Sequence, residues 1–105
     1  MEFSDRPFFE RANAFIEQAN QFAAKAPADR VSLSLIHAAA RFHVWLWAAS
    51  SQTAAELKSR KENARELYLR ECQQMFDKQF DEYASNFDRY IAAPREAEQK
   101  ANQPG

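Results

Sequence analysis

Two histidines and one cysteine are the residues of this chain whose side chains could carry catalytic or metal chemistry. His37 and His43 are six residues apart, which places them about 120° apart around a helix, whereas residues four apart can share a metal ion. No carboxylate stands three residues before either histidine, so the Glu-x-x-His element of di-iron bundles is missing. We therefore expect no metal site and no cofactor, with His43 hydrogen-bonded in the core and His37 exposed.

Cys72 is the third candidate. Its helical neighbours three and four residues away are Tyr68, Leu69, Met75 and Phe76, and none of them is the base that a nucleophilic thiol needs. These neighbours favour a structural role in the core. A single cysteine closes no disulfide within the chain. Because no signal peptide opens the sequence, we expect the protein in the reducing cytoplasm.

Glycine content and charge exclude further classes of function. The one glycine is Gly105, and phosphate-binding loops, dinucleotide-binding turns and nucleophile elbows all need glycine within the chain. The net charge is -1, and the basic residues Lys58, Lys61 and Arg65 are offset by neighbouring glutamates, as on a solvated helix surface. We expect neither an enzyme nor a nucleic-acid binder.

The composition predicts an all-α fold. A chain of 105 residues is long enough for one domain. It contains two Val, three Ile and one Thr beside 20 Ala. Branched side chains favour strands and alanine favours helices, so the balance excludes a sheet.

The helical pattern divides into three segments, which are residues 4–26, 30–50 and 54–91. We expect them to form three antiparallel helices. A continuous third helix would be about 57 Å long, against a radius of gyration of roughly 13 Å for a compact chain of this length. The sequence leaves open whether this helix bends, breaks or projects. Because Pro94 ends the pattern, we predict one helical domain over 1–93 and a mobile polar tail over 94–105.

Capping residues mark the predicted start of each helix. Ser4 is the predicted N-cap of helix 1, with Pro7 in the first turn, where its missing N–H costs nothing. Asp29 is the predicted cap of helix 2. Thr53 and Glu56 are spaced as a capping box at the start of helix 3.

Helix 2 is the most hydrophobic segment, because its large apolar side chains cover roughly 260° of its circumference. His37, Arg41 and His43 make insertion of this segment into a membrane unfavourable. A seam of small or polar residues that includes Ser32 and His43 divides the apolar surface into two lobes. The two lobes predict a neighbour on each side, with helix 2 in the centre.

The two tryptophans of helix 2, Trp45 and Trp47, point in nearly opposite directions, so a single neighbour cannot cover both. Tryptophan is a favoured interface anchor, and one of the two is a candidate for that role, with ordinary core packing as the alternative. Four polar residues on the flanks of helices 1 and 2 could form a network that fixes the register of these helices. They are Arg11, Asn13, Asn20 and Arg41.

Three stretches of the sequence are characteristic of a known family. They are the run Phe8-Phe9-Glu10-Arg11-Ala12-Asn13-Ala14-Phe15-Ile16, the pair Ala19-Asn20 and the run Ala38-Ala39-Ala40-Arg41-Phe42. On these stretches the chain resembles, from about Phe8 to Tyr90, a family of small uncharacterised proteobacterial proteins known only as a domain of unknown function. The resemblance implies an all-helical bacterial protein and supplies no activity, cofactor or catalytic residue. His43 stands where the resemblance implies an amide, which argues against a ligand role.

These observations predict a homodimer that acts through protein contacts and without catalysis, with an unidentified further protein partner. The physical reason is that two neighbours, one of them overhanging, cannot cover the apolar circumference of helix 2. The alternative is a small-molecule binding module with a pocket between helices beside Ser32, His43 and Trp47.

Overall fold

The computed structural model describes residues 5–101, which are all-α and include no strand. The helices are α1 (Arg6–Ala23), α2 (Ala28–Ala49), α3 (Ala54–Ser59), α4 (Lys61–Ser85) and α5 (Ala93–Ala101), with a π-helical turn at Asp88–Ala92. The chain groups into two compact units, Met1–Leu57 and Lys58–Gly105. The all-α prediction is confirmed. The predicted third helix, over 54–91, is divided into α3, α4 and the π-helical turn, and α5 lies beyond it, mostly in the predicted tail.

The start of α1 is capped by Asp5. Its carboxylate Oδ1 accepts a hydrogen bond from the N–H of Phe8 at 3.0 Å, and Pro7 lies in the first turn as predicted. The predicted cap, Ser4, lies outside the described residues. An aspartate in this position satisfies one of the free N–H groups of the first turn and places its charge at the positive end of the helix.

The start of α2 differs from the predicted capping by Asp29. The helix begins at Ala28, after Pro27 in an extended conformation, so Asp29 lies within the first turn and not at the cap. Its Oδ1 accepts a hydrogen bond from the N–H of Arg30 at 2.9 Å. Pro27 has no side-chain acceptor for a capping bond, and its carbonyl accepts from the N–H groups of Arg30 and Val31 at 3.0 and 3.1 Å.

The end of α2 and the start of α3 are stabilised by side chains. The hydroxyls of Ser50 and Ser51 both donate to the carbonyl of Trp47, at 3.1 and 2.8 Å. Thr53 Oγ1 accepts from the N–H of Glu56 at 3.1 Å, and the Glu56 carboxylate accepts from the N–H of the residue before Thr53 at 2.8 Å. The predicted capping box is therefore confirmed, with its return bond one residue earlier than in the usual form.

The predicted third helix is broken at Arg60, between α3 and α4. Arg60 has φ −94° and ψ −3°, and its carbonyl accepts the first hydrogen bond of α4, from Ala64 at 2.9 Å. The break lies in an unbroken polar run, Lys58–Asn63. Polar side chains on every face give this stretch no apolar stripe to hold it straight against a neighbour.

A second irregularity precedes Pro94. Asn86 ends α4 at φ −117° and ψ 27°, and its side-chain amide donates to the carbonyl of Glu82 at 3.0 Å. The N–H of Ala93 bonds to Asp88, five residues earlier. A proline ring clashes with the carbonyl four residues before it in an α-helix, and the wider π-turn relieves this clash.

The chain therefore passes through Pro94 and continues as α5, where the sequence pattern predicted the end of helical structure. Mobility of the region from residue 94 onward, and a single domain over 1–93, stay predictions. Residues 102–105 lie outside the described range.

No residue between 5 and 101 is buried in the single chain. Nineteen large hydrophobic side chains in this range are exposed, eleven of them in α1 and α2. Helical propensity and capping account for the elements, but apolar burial is what ordinarily stabilises a folded domain. The single chain lacks that contribution over the described residues.

Candidate interaction surfaces

The first candidate surface is a groove on one face of α2. Ala38 forms its floor, and the rings of Phe42 and Trp45 stand beside it, with centroids 6.0 Å apart. Trp45 is 59% exposed and Phe42 is 64% exposed. His37 and Arg41 complete the lining. A small residue followed by larger ones one and two turns later leaves a depression into which a side chain of another helix can insert.

The opposite side of α2 carries Trp47, which is half-buried. Its indole N–H donates to Nε2 of His43 at 3.4 Å. This bond requires Nε2 to be unprotonated, so the proton of a neutral His43 lies on Nδ1. The predicted hydrogen bond of His43 is confirmed, although the side chain is half-buried and not in a core. Trp45 is the more exposed of the two tryptophans.

The predicted seam of α2 does not line either of the two grooves found in the first unit. Ser32 is exposed and lies three turns from His43 on the same helix. The second groove lies at the α1–α2 turn, between Phe22 and Lys25 of one arm and Val31 of the other. A small-molecule pocket beside Ser32, His43 and Trp47 stays a prediction.

The predicted polar network is not joined in the single chain. Arg11, Asn13, Asn20 and Arg41 are all exposed, and among the described residues no hydrogen bond or ion pair links any two of these side chains. A role in fixing the register of α1 and α2 stays a prediction.

A second candidate surface follows one face of α4 and the π-turn, and we call it the α4 stripe. The sequence pattern indicates a dense apolar row from Tyr68 to Tyr90 but does not identify it as a site. The stripe differs from that row at its start, where the exposed Leu69 replaces the half-buried Tyr68. The Phe76 and Phe80 rings stack at 5.8 Å, and the Tyr83 and Tyr90 rings meet at 5.2 Å. The stripe consists of Leu69, Cys72, Phe76, Phe80, Tyr83, Phe87 and Tyr90, all of them exposed.

Cys72 corrects an expectation, since its thiol is exposed and not in a core. Tyr68 lies one turn earlier on the same helix, and Cys72 contributes to a shift in the pKa of its hydroxyl. Burial, together with the charge and hydrogen bonding of Cys72, raises the pKa of Tyr68. Across the described residues, no three His, Cys, Asp or Glu side chains are grouped so that they could hold a metal ion.

Tyr90 closes the far end of the α4 stripe. Its hydroxyl donates to Glu82 Oε1 at 3.0 Å, and this hydrogen bond and the charge of the carboxylate raise the pKa of Tyr90. The guanidinium of Arg89 lies 5.9 Å from the centre of the Tyr90 ring. These contacts hold the ring of Tyr90 on the same face as Tyr83, across the irregular helix between them.

None of the helices within residues 5–101 combines the length and the apolar character needed to cross a bilayer. Comparison with known proteins gives one match. The profile of DUF3144, described as a protein of unknown function, matches residues 8–84. No curated protein matches the chain, and no solved structure matches it.

Proposed function

The chain belongs to the DUF3144 family, whose function is unknown, and we propose that it is a non-catalytic protein-interaction or assembly module that acts as a homodimer. The observation that carries this proposal is the lack of any buried residue between 5 and 101, with nineteen large hydrophobic side chains exposed. A typical monomer exposes a largest apolar patch of roughly 300–600 Å². A second copy is the partner that is always present at matched concentration.

In this proposal α2 is the central helix of the assembly. Its mean hydropathy is the highest of the helices longer than six residues, and both of its lobes need cover. Leu33, Ile36 and Val44 on one lobe are 58–61% exposed, while Phe42 and Trp45 lie on the other side. Each lobe would pack on a neighbouring helix, from its own chain or from the second copy.

The compartment that suits this module is the reducing cytoplasm. Cys72 is exposed and forms no disulfide. An exposed thiol stays reduced in the cytoplasm but is prone to oxidation outside the cell.

Analytical ultracentrifugation of the purified protein at micromolar concentration tests the proposal. We expect the mass of a dimer, and a monomer at this concentration would contradict the homodimer. The dimer is expected without any added ligand.

The Trp45→Ala variant tests whether α2 contributes an anchor. Its exposed ring beside Phe42 fits the pattern of an interface hot spot, so we expect the dimer dissociation constant to rise about 30-fold, which corresponds to about 2 kcal/mol. Trp47→Phe is the control, because it keeps an aromatic ring on the half-buried side of α2 and removes the hydrogen bond to His43. An unchanged dissociation constant of Trp45→Ala would remove Trp45 from the interface.

A further inference from the structure

The α4 stripe has a symmetry that identifies its partner. Three pairs of its residues are centred on one point of the helix, between Gln79 and Phe80. They are Leu69 with Tyr90, Cys72 with Phe87, and Phe76 with Tyr83. A helix face with this spacing is unchanged when the helix is reversed, so it matches a second, antiparallel copy of itself.

We infer that two copies of this chain pair along their α4 stripes, antiparallel, about a two-fold axis beside Phe80. This inference rests on the proposed homodimer and names a second surface that contributes to it, in addition to the α2 face that carries Trp45. Each layer then combines side chains of compatible size: the small Cys72 lies opposite the large Phe87 of the second copy, and Phe80 packs against its own equivalent.

The stripe has enough area for this role. Its aromatic members would each bury roughly 150–250 Å² when fully covered, and they are about half exposed, between 36% for Tyr90 and 66% for Phe76. The five aromatic side chains therefore offer on the order of 500 Å² from each copy. A pair would bury about 1,000 Å², which is the size at which a specific interface begins.

The helix irregularity at Asn86 does not interrupt the stripe. Tyr83 precedes the irregularity and Tyr90 follows it, and their rings remain in contact at 5.2 Å. The Phe76–Phe80 stack joins the rings on the N-terminal side of the irregularity. The surface offered to a second copy is therefore continuous from Leu69 to Tyr90.

Disulfide cross-linking of the full chain tests the register. In the antiparallel pair the two Cys72 residues are fifteen positions out of register, about 22 Å along the axis, so the unmodified protein should not cross-link under mild oxidation. Phe87→Cys places a second thiol opposite Cys72 of the other copy, within the 4.4–6.8 Å Cα distance that a disulfide spans. We expect most of this variant to run as a covalent dimer on a non-reducing gel.

Two further variants complete the experiment. Cys72→Ser with Phe80→Cys places a thiol beside the axis and should cross-link to itself. Cys72→Ser with Phe87→Cys leaves the remaining thiols about 22 Å apart and should not. Circular dichroism before oxidation verifies that each variant is helical.

The possible results separate this inference from the proposed function. Cross-linking of the unmodified protein through Cys72 would indicate a parallel pair and overturn the antiparallel register. A dimer in the ultracentrifuge with no cross-link in any variant would overturn the α4 stripe as the interface and leave the homodimer standing. A monomer in the ultracentrifuge would overturn both.

Phe80→Glu gives a second, independent test. It places two carboxylates next to each other at the axis, and we expect the dissociation constant of the dimer to rise about 30-fold or more, as for an interface hot spot. Gln74→Glu adds the same single negative charge on the opposite side of α4 and is the matched control. Equal dissociation constants for the two variants would contradict the inference.

Discussion

The two tryptophans of α2 differ in what surrounds them, although they are two residues apart. The indole N–H of Trp47 is already bound to His43 within the same helix, and its ring is half-buried. Trp45 is 59% exposed beside Phe42. The sequence shows that the rings diverge, since a separation of two residues is about 200° around a helix. It does not show which ring is covered, because that depends on neighbours that are distant in the chain.

Tyr90 offers a test at the scale of a single hydrogen bond. Its bond to Glu82 raises its pKa above the ordinary value of 10.0. The raised value means that the bond stabilises the folded chain at pH below 10 and is lost as the pH rises through the pKa of the folded state. Glu82→Gln removes the charge and weakens the acceptor, so we expect the titration of Tyr90 to move to lower pH.

The change is measured by phenolate absorbance during an alkaline titration. Tyr90→Phe removes the component that belongs to Tyr90 and identifies it among the three tyrosines of the chain. Superimposable curves for the unmodified protein and Glu82→Gln would show that the hydrogen bond is not formed in solution.

At the scale of elements, the sequence predicts the helices better than their ends. The capping box of Thr53 and Glu56 is correct because its residues and spacing are sufficient to form it. Asp29 is wrong as a cap because Pro27 also starts helices and lies earlier. The break at Arg60 has no proline or glycine beside it. The polar run Lys58–Asn63 indicates a weakly held stretch but does not fix the residue at which the helix breaks.

Proline is accommodated in the first turn of α1 at Pro7, whereas Pro94 is preceded by a π-turn, and this contrast predicts the effect of replacing Pro94. Pro94 lies inside a continuous helical stretch and is preceded by a π-turn. Pro94→Ala supplies an N–H that can bond to the carbonyl of Tyr90, so we expect the π-turn to become α-helical. Stability should rise by about 1 kcal/mol, and by no more than the roughly 3 kcal/mol cost of an interior proline.

Far-UV circular dichroism and urea unfolding measure these two changes. Pro7→Ala is the control, because Pro7 lies in the first turn of α1, where the missing N–H has no partner to lose. The same gain in helicity in both variants would show that the π-turn is not a response to Pro94.

At the scale of the whole molecule, the candidate surfaces are the apolar helix faces that the single chain leaves exposed. The sequence predicts too much apolar circumference on α2, and the structure shows exposed apolar faces on α1, α2 and α4. The α4 stripe was visible in the sequence as an apolar row. Its role was not, because an apolar row on a helix is ordinarily core, and only its exposure in the folded chain makes it a candidate surface.

Thermal unfolding at different concentrations tests whether the fold depends on association. A dimer that supplies the missing burial must melt at a higher temperature when it is concentrated, because dissociation and unfolding are linked by mass action. We expect a tenfold dilution to lower the melting temperature by a few degrees. The Phe80→Glu variant should lose most of this dependence, and a concentration-independent melting temperature of the unmodified protein would contradict the proposal.

Each side-chain hydrogen bond described above joins groups no more than eight positions apart, and this locality has a kinetic consequence for the proposed homodimer. Individual helices form in about a microsecond. Two chains at micromolar concentration need roughly 0.1–10 s to meet at ordinary association rates. In that proposal a newly made chain spends most of its assembly time as a helical monomer whose exposed apolar faces are accessible to chaperones and proteases. The length of this exposure depends on the local concentration of other copies of the chain.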